Sequence, residues 1–222
     1  MSSPEVEMSP VIDRAMRSCG TSNTAIYRMA VRALRARGIQ SGSVLDIGCG
    51  TGNLWQHLQG FDYIGVDAVR YDSFPAGARF VRCDLDSGRV PLPDGCADIV
   101  AAVETIEHLE NPRLFLRELV RLVKVGGTVI VTTPNQLSWL SLLTLVFRGQ
   151  FSMFQDCDYP AHLTALLESD LRRMAAECGL VDIGIEYSRK GRIFFTSRTF
   201  PEILSNLFPQ RFSDNVLLAG RK

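Results

Sequence analysis

Three short stretches of the chain carry side chains that could do chemistry. In "ETIEHLENP", Glu104, Glu107 and His108 crowd together, and a second histidine, His162, lies downstream in "DYPAHLT". A carboxylate and an imidazole can take and return a proton near neutral pH. Mixed nitrogen and oxygen donors of this kind are also compatible with Mg, Mn or Zn. In "VLDIGCGTG", Asp46 precedes Gly48, Gly50 and Gly52. Two more acids, Asp67 in "YIGVDAV" and Asp84 in "VRCDL", close the next two apolar runs. One aspartate at a strand end is an ordinary cap or turn residue. Three at consecutive strand ends can surround a ligand with several polar groups.

Such residues need strands and helices to bring them together. The apolar runs "SVLDIG", "DYIGVDA", "ARFVRCDL", "ADIVAAVE", "GGTVIVTTP", "VDIGIEY" and "DNVLLAGRK" read as strands. Between some of them stand helical stretches: "NLWQHLQ", "NPRLFLRELVRLVK" with apolar Leu114, Leu116, Leu119, Val120 and Val123, and "ESDLRRMAAECGL" closed by Gly179. Asn111 is placed to cap its helix, with Pro112 at the first helical position. This alternation predicts an α/β fold: a doubly wound, Rossmann-like, seven-stranded sheet with helices on both faces. The chain reads as a single domain, 1–222. Residues 1–40, with helical "NTAIYRMAVRALRARG", form an N-terminal cover, and the apolar stretch 135–167 forms a lid or acceptor-side insert.

In a doubly wound sheet the first strand-to-helix turn is where ligands lie, and glycines there allow close approach to the backbone. A dinucleotide fits imperfectly, because Asn53 stands where its GxGxxG fingerprint continues. Asp46 would also repel a pyrophosphate, whereas it would welcome an ammonium group. S-adenosylmethionine has that pattern: an amino-acid end, no phosphate and a sulfonium cation. Asp67 suits a ribose diol and Asp84 an adenine amino group.

The stretch from Val44 to Asn135 resembles the class I S-adenosylmethionine-dependent methyltransferases. Within them it is similar to the branch of ubiquinone-biosynthesis O-methyltransferases and small-molecule methyltransferases. The resemblance implies S-adenosyl-L-methionine as cofactor, with Asp46, Gly48 and Gly50 lining its methionine end, Asp67 holding the ribose, Asp84 and Leu85 flanking the adenine and Val103 near the cofactor at the end of the fourth strand. Cys49, Gly52 and Ala68 are counted with them as cofactor-binding. The last strand is then expected antiparallel. His108, Glu107 and His162 are the catalytic candidates, as acceptor-side bases for O-methylation. The "ExxEH" spacing with a distant histidine also resembles the Hen1-type RNA 2′-O-methyltransferases, in which the equivalents of Glu104, Glu107, His108 and His162 hold a metal. The small-molecule reading expects no tightly held metal. A catalytically silent cofactor-binding relative is the third alternative.

Composition narrows the partners. Lys plus Arg number 24 and Asp plus Glu 24, so the net charge of +0 offers no bulk grip on nucleic acid. The expected acceptor is a small molecule, lipophilic or phosphate-bearing. Arginines in "RMAVRALRARG" and "SRKGR" could meet a phosphate, and "QLSWLSLLTLVFRGQFSMF" could wall a greasy acceptor or touch a membrane peripherally. The 6 cysteines form no CxxC pair, and the N-terminus has no apolar secretory segment, which points to a cytoplasmic protein.

Overall fold

In a computed structural model that describes residues 20–222 together with Ile12, Ala15, Met16 and Ser18, seven strands form one sheet. The remainder of the expected N-terminal cover, and Cys19, lie outside the described residues. The strands are β1 (Gly42–Ile47), β2 (Phe61–Asp67), β3 (Arg79–Arg82), β4 (Ala97–Val103), β5 (Val123–Pro134), β6 (Val181–Tyr187) and β7 (Asn215–Arg221). Their order is β3-β2-β1-β4-β5-β7-β6. The first five are joined by parallel pairings, and β7 runs antiparallel to both β5 and β6. The direction of winding reverses between β1 and β4, so their C-terminal ends flank the switch point of the sheet.

Alternation along the strands divides the core in two. Ile99, Ile130 and Leu217 face α1 (Thr24–Ala36), which buries Ile26, Met29, Ala30, Ala33 and Leu34 against them. Val100, Val129, Val131 and Leu218 face the other way, onto α2 (Pro112–Leu122) and α4 (Glu168–Glu177). Central strands covered on both faces are buried along most of their length, which is why "ADIVAAV" and "TVIVTT" show no regular polar alternation, their polar exceptions being Asp98 and the buried Thr128, Thr132 and Thr133. Asn111 caps α2 through Oδ1, which accepts from Leu114 N at 3.0 Å, with Pro112 in the first turn.

Two elements differ from the sequence reading. "NLWQHLQ" forms only a 3-10 turn, Asn53–His57, instead of a helix, because α1 already covers that face of the sheet. Helix α2 stops at Leu122, and Val123 begins β5 rather than continuing the apolar stripe. The stretch 135–167 contains α3 (Trp139–Arg148), followed by turns as far as α4. In α3 the buried residues are Ser141 and Thr144, while Val146 and Phe147 are 76% and 70% exposed. Its polarity is inverted with respect to an ordinary surface helix.

Candidate functional site

At the switch point a cavity of about 610 Å³ opens between the ends of β1, β2 and β4. Its floor is the glycine turn. Gly48 N and Cys49 N donate to Val66 O of β2 at 2.8 and 3.2 Å, and Gly50 N donates to Asp67 Oδ2 at 2.8 Å. Gly48 has φ 76° and Gly50 has φ 50°. A Cβ on Gly48 would lie 2.3 Å from Thr105 Oγ1, and one on Gly50 would lie 2.1 Å from Gly20 O. The turn is thus bare largely because the protein itself closes on it. Thr51 completes the clamp, donating to Gly20 O through N (2.8 Å) and Oγ1 (3.0 Å).

Two buried aspartates set the electrostatics of this end. Asp46 is 2% exposed; its Oδ2 accepts from Tyr63 Oη at 2.6 Å, and its Oδ1 has no partner. Burial pushes its carboxyl up to about 7, opposed by the Tyr63 hydrogen bond. A bound cation is the group that would stabilise such an orphaned oxygen. Asp67 also lies above the usual carboxylate range through burial, with backbone N–H groups of Gly50 and Val69 pulling the other way. Burial holds the Cys49 thiol far above its usual range, so Cys49 is a wall and not a nucleophile.

The opposite end holds the acids and histidines. Glu104 sits just past β4 with φ 50°, a strained conformation of the kind found at functional sites. Its Oε1 accepts from Thr132 Oγ1 of β5 (2.8 Å) and its Oε2 from Asn215 Nδ2 of β7 (2.7 Å). Glu107 is 0% exposed, and neither carboxylate oxygen has a hydrogen-bond partner. Burial raises both carboxyls well above their ordinary range. The end of the insert folds back onto this turn: Leu163 N and Thr164 N donate to Glu107 O at 2.9 and 3.1 Å. That places the His162 ring 4.7 Å from His108, centroid to centroid. His108 Nδ1 meets Ala161 O at 2.7 Å and His162 Nδ1 meets Met153 O. Burial, chiefly, lowers the His162 pKa, keeping the ring neutral.

The cavity therefore brings together Asp46, Gly48, Cys49, Gly50, Asp67, Ala68, Leu85, Val103, Glu107, His108 and His162. It leaves two candidates outside its wall. Asp84 is exposed and caps the next turn, with Oδ1 accepting from Asp86 N at 2.9 Å, so that Asp86 takes the wall position. Gly52 packs toward Phe74 and Pro75 instead. Sequence reasoning missed Ser22 and Tyr27, joined by a 2.9 Å hydrogen bond from Ser22 N to Tyr27 Oη, and it missed Asn215. No local motif marks them; they reach the cavity through packing. Lys190 and Arg192 of "SRKGR" also line it, Arg192 Nε lying 2.7 Å from Asp214 Oδ2.

Comparison with known proteins gives a consistent result. A family model described as a methyltransferase domain matches residues 23–184. A probable S-adenosylmethionine-dependent methyltransferase of Mycobacterium tuberculosis (strain CDC 1551 / Oshkosh) is 29% identical over 154 residues, covering 64% of this chain and 50% of the relative. The chain thus spans about half the length of the mycobacterial relatives it matches. A ubiquinone biosynthesis O-methyltransferase of Aliivibrio fischeri (strain ATCC 700601 / ES114) is 27% identical over 161 residues, covering 68% of each chain. Among solved structures, Burkholderia thailandensis 1,6-didemethyltoxoflavin-N1-methyltransferase, with 1,6-didemethyltoxoflavin and S-adenosylhomocysteine bound, aligns with a TM-score of 0.62. The two are 14% identical, and the alignment covers 100% of this chain and 93% of the other, a likeness of fold.

Proposed function

The chain belongs to the methyltransferase-domain family, and from that premise we propose that it transfers a methyl group from S-adenosylmethionine to an oxygen of a small-molecule acceptor. One observation carries the reading. A single cavity has the orphaned, buried Asp46 Oδ1 at one end and the unpartnered Glu107 carboxylate, with His108 and His162, at the other. When bound, S-adenosylmethionine supplies a methyl group on a sulfonium. Asp46 is suited to the cofactor's ammonium group, and Asp67 retains lone pairs for a diol beside its two backbone donors. Glu107, held above its usual range by burial, can accept a proton near neutral pH, which an acceptor hydroxyl must lose. His108 and His162 orient the acceptor around it.

A lipophilic or phosphate-bearing acceptor has separate supports. Lys190 brings positive charge to the cavity wall, beside Arg192, whose charge is paired with Asp214. Outside it, Val146 and Phe147 of α3 and Phe195 (81% exposed) leave an apolar face that suits a peripheral membrane contact. Among the described residues no helix is long and apolar enough to cross a membrane. The five described cysteines are all free, in keeping with a cytoplasmic setting.

Calorimetry tests the core of the proposal. S-adenosylhomocysteine should bind with micromolar affinity and NAD should give no heat. Asp67→Ala should weaken S-adenosylhomocysteine by about 1.5–3 kcal/mol, the scale of lost charge-assisted hydrogen bonds. Tight NAD binding with no response to S-adenosylhomocysteine would refute it.

A further inference from the structure

Neutralising a fully buried carboxylate takes a proton, a donor or a cation. Neither Glu107 oxygen makes a well-formed hydrogen bond; the buried Thr133 hydroxyl, itself without another partner, is the side chain that favours its ionised form. One ligand atom from each of Glu107, His108 and His162 lies within 4.8 Å of the other two. Both imidazoles are oriented by backbone carbonyls, Ala161 O for His108 and Met153 O for His162, each met by Nδ1. A carbonyl oxygen only accepts, so in each neutral ring Nδ1 carries the proton and Nε2 keeps the lone pair. Carbonyl oxygens play this part behind metal-binding histidines, fixing tautomer and ring direction. Glu104 is differently placed, because Thr132 and Asn215 already donate to its two oxygens.

We propose that Glu107, His108 and His162 form a divalent-cation site on the acceptor side of the cavity, built from one carboxylate oxygen and two imidazole Nε2 atoms. The ligand set favours a borderline ion such as Zn²⁺ or Mn²⁺ over Mg²⁺, which prefers oxygen donors. Atoms that share a tetrahedral ion at about 2.1 Å lie about 3.4 Å apart, so ligand atoms as far apart as 4.8 Å must close by about 1.4 Å on binding. Three protein ligands leave coordination positions open, and the cavity supplies room for an acceptor oxygen there. The site departs from the expectation of no tightly held metal. It also differs from the four-ligand pattern suggested by the "ExxEH" spacing, since Glu104 acts as a brace. The role toward an acceptor rests on the methyltransferase reading, whereas the ion binding does not; with an ion held there, Glu107 would act as a ligand and the ion, instead of the carboxylate, would favour the deprotonated acceptor hydroxyl.

The test uses chelator-stripped full-length protein titrated with Mn²⁺ alone, and separately with Co²⁺ followed by visible absorption. One ion per chain is expected, with a Co²⁺ spectrum distinct from that of the hydrated ion. Glu107→Gln and His162→Asn should each weaken Mn²⁺ at least tenfold, in keeping with loss of one ligand, and Glu104→Gln much less. S-adenosylhomocysteine titrations on the same samples separate the two readings. Wild-type protein that binds S-adenosylhomocysteine but leaves the Co²⁺ spectrum unchanged overturns the metal site alone. Equal Mn²⁺ affinity in wild type and both ligand variants overturns the assignment of the trio. Should a ligand variant lose S-adenosylhomocysteine binding through misfolding, the wild-type Co²⁺ spectrum decides. A protein that binds Mn²⁺ and not S-adenosylhomocysteine keeps the site and removes the methyltransferase reading.

Discussion

Asp46 shows how one residue's burial becomes a measurable property. Its carboxyl is pushed up to about 7, against roughly 3.9 in an unfolded chain. Between those values the folded state holds a proton that the unfolded state releases. The contribution of Asp46 to stability is therefore full below about pH 4, falls as pH rises toward 7, and is flat beyond. A cationic ligand reverses the preference by favouring the ionised carboxylate. Binding of S-adenosylhomocysteine at pH 6 should then release about one proton, measured by calorimetry in buffers of different ionisation enthalpy, and almost none at pH 8. Affinity should rise roughly tenfold between pH 6 and 7.5. In Asp46→Asn the proton release should vanish; persistence at wild-type size would assign it to another group.

Among the elements, α2 does more than cover the sheet. Arg121 donates to both oxygens of Glu118 (2.6 and 2.8 Å), to Val90 O (3.1 Å) and to Leu92 O (2.9 Å), and Glu118 accepts from Val90 N at 2.7 Å. The side chains of Arg121 and Glu118 are only 16% and 9% exposed. This fork pins the loop before β4, the same connection that carries Leu85 and Asp86 to the cavity wall. Arg121→Ala strands a buried carboxylate and should cost about 2–4 kcal/mol in urea unfolding. Arg121→Lys should recover less than half, lacking the planar fork. Affinity for S-adenosylhomocysteine should change little in either variant, because the damage lies behind the wall. A stability loss below about 1 kcal/mol for Arg121→Ala would mean the fork behaves as a surface pair.

At the scale of the whole molecule, the cavity is a convergence of remote segments. Residues 20–27 close one side, strand ends form the floor, and Met153, His162 and residues 188–199 supply the other side. The insert 135–167 sends only Met153 and His162 into the wall, while α3 turns its apolar side chains outward. Hydrogen exchange with saturating S-adenosylhomocysteine should thus slow in 20–27 and in 153–164, with α3 nearly unchanged. Protection confined to the glycine turn would show that neither cover closes on the ligand. Uniform protection through α3 would make the entire insert a lid.

The strands, their order of use and the acids at their ends were legible because each rests on local pattern. Buried parallel strands are mostly apolar runs, and Asp46 and Asp67 lie at the ends of theirs, one glycine turn and one strand apart. Asp84 shows the limit. Its position at a strand end was readable, but its rotation was not, and packing put Asp86 on the wall instead. The brevity of "NLWQHLQ" was equally hidden, since α1, from earlier in the chain, had taken the face a helix would have used. The resemblance grouped His108 with His162, but only the tertiary structure shows how they meet: backbone hydrogen bonds from Leu163 and Thr164 to Glu107 carry the insert's end back to β4. Sequence spacing records residue types and local periodicity; which distant side chains share a cavity is decided by the closure of loops over a sheet.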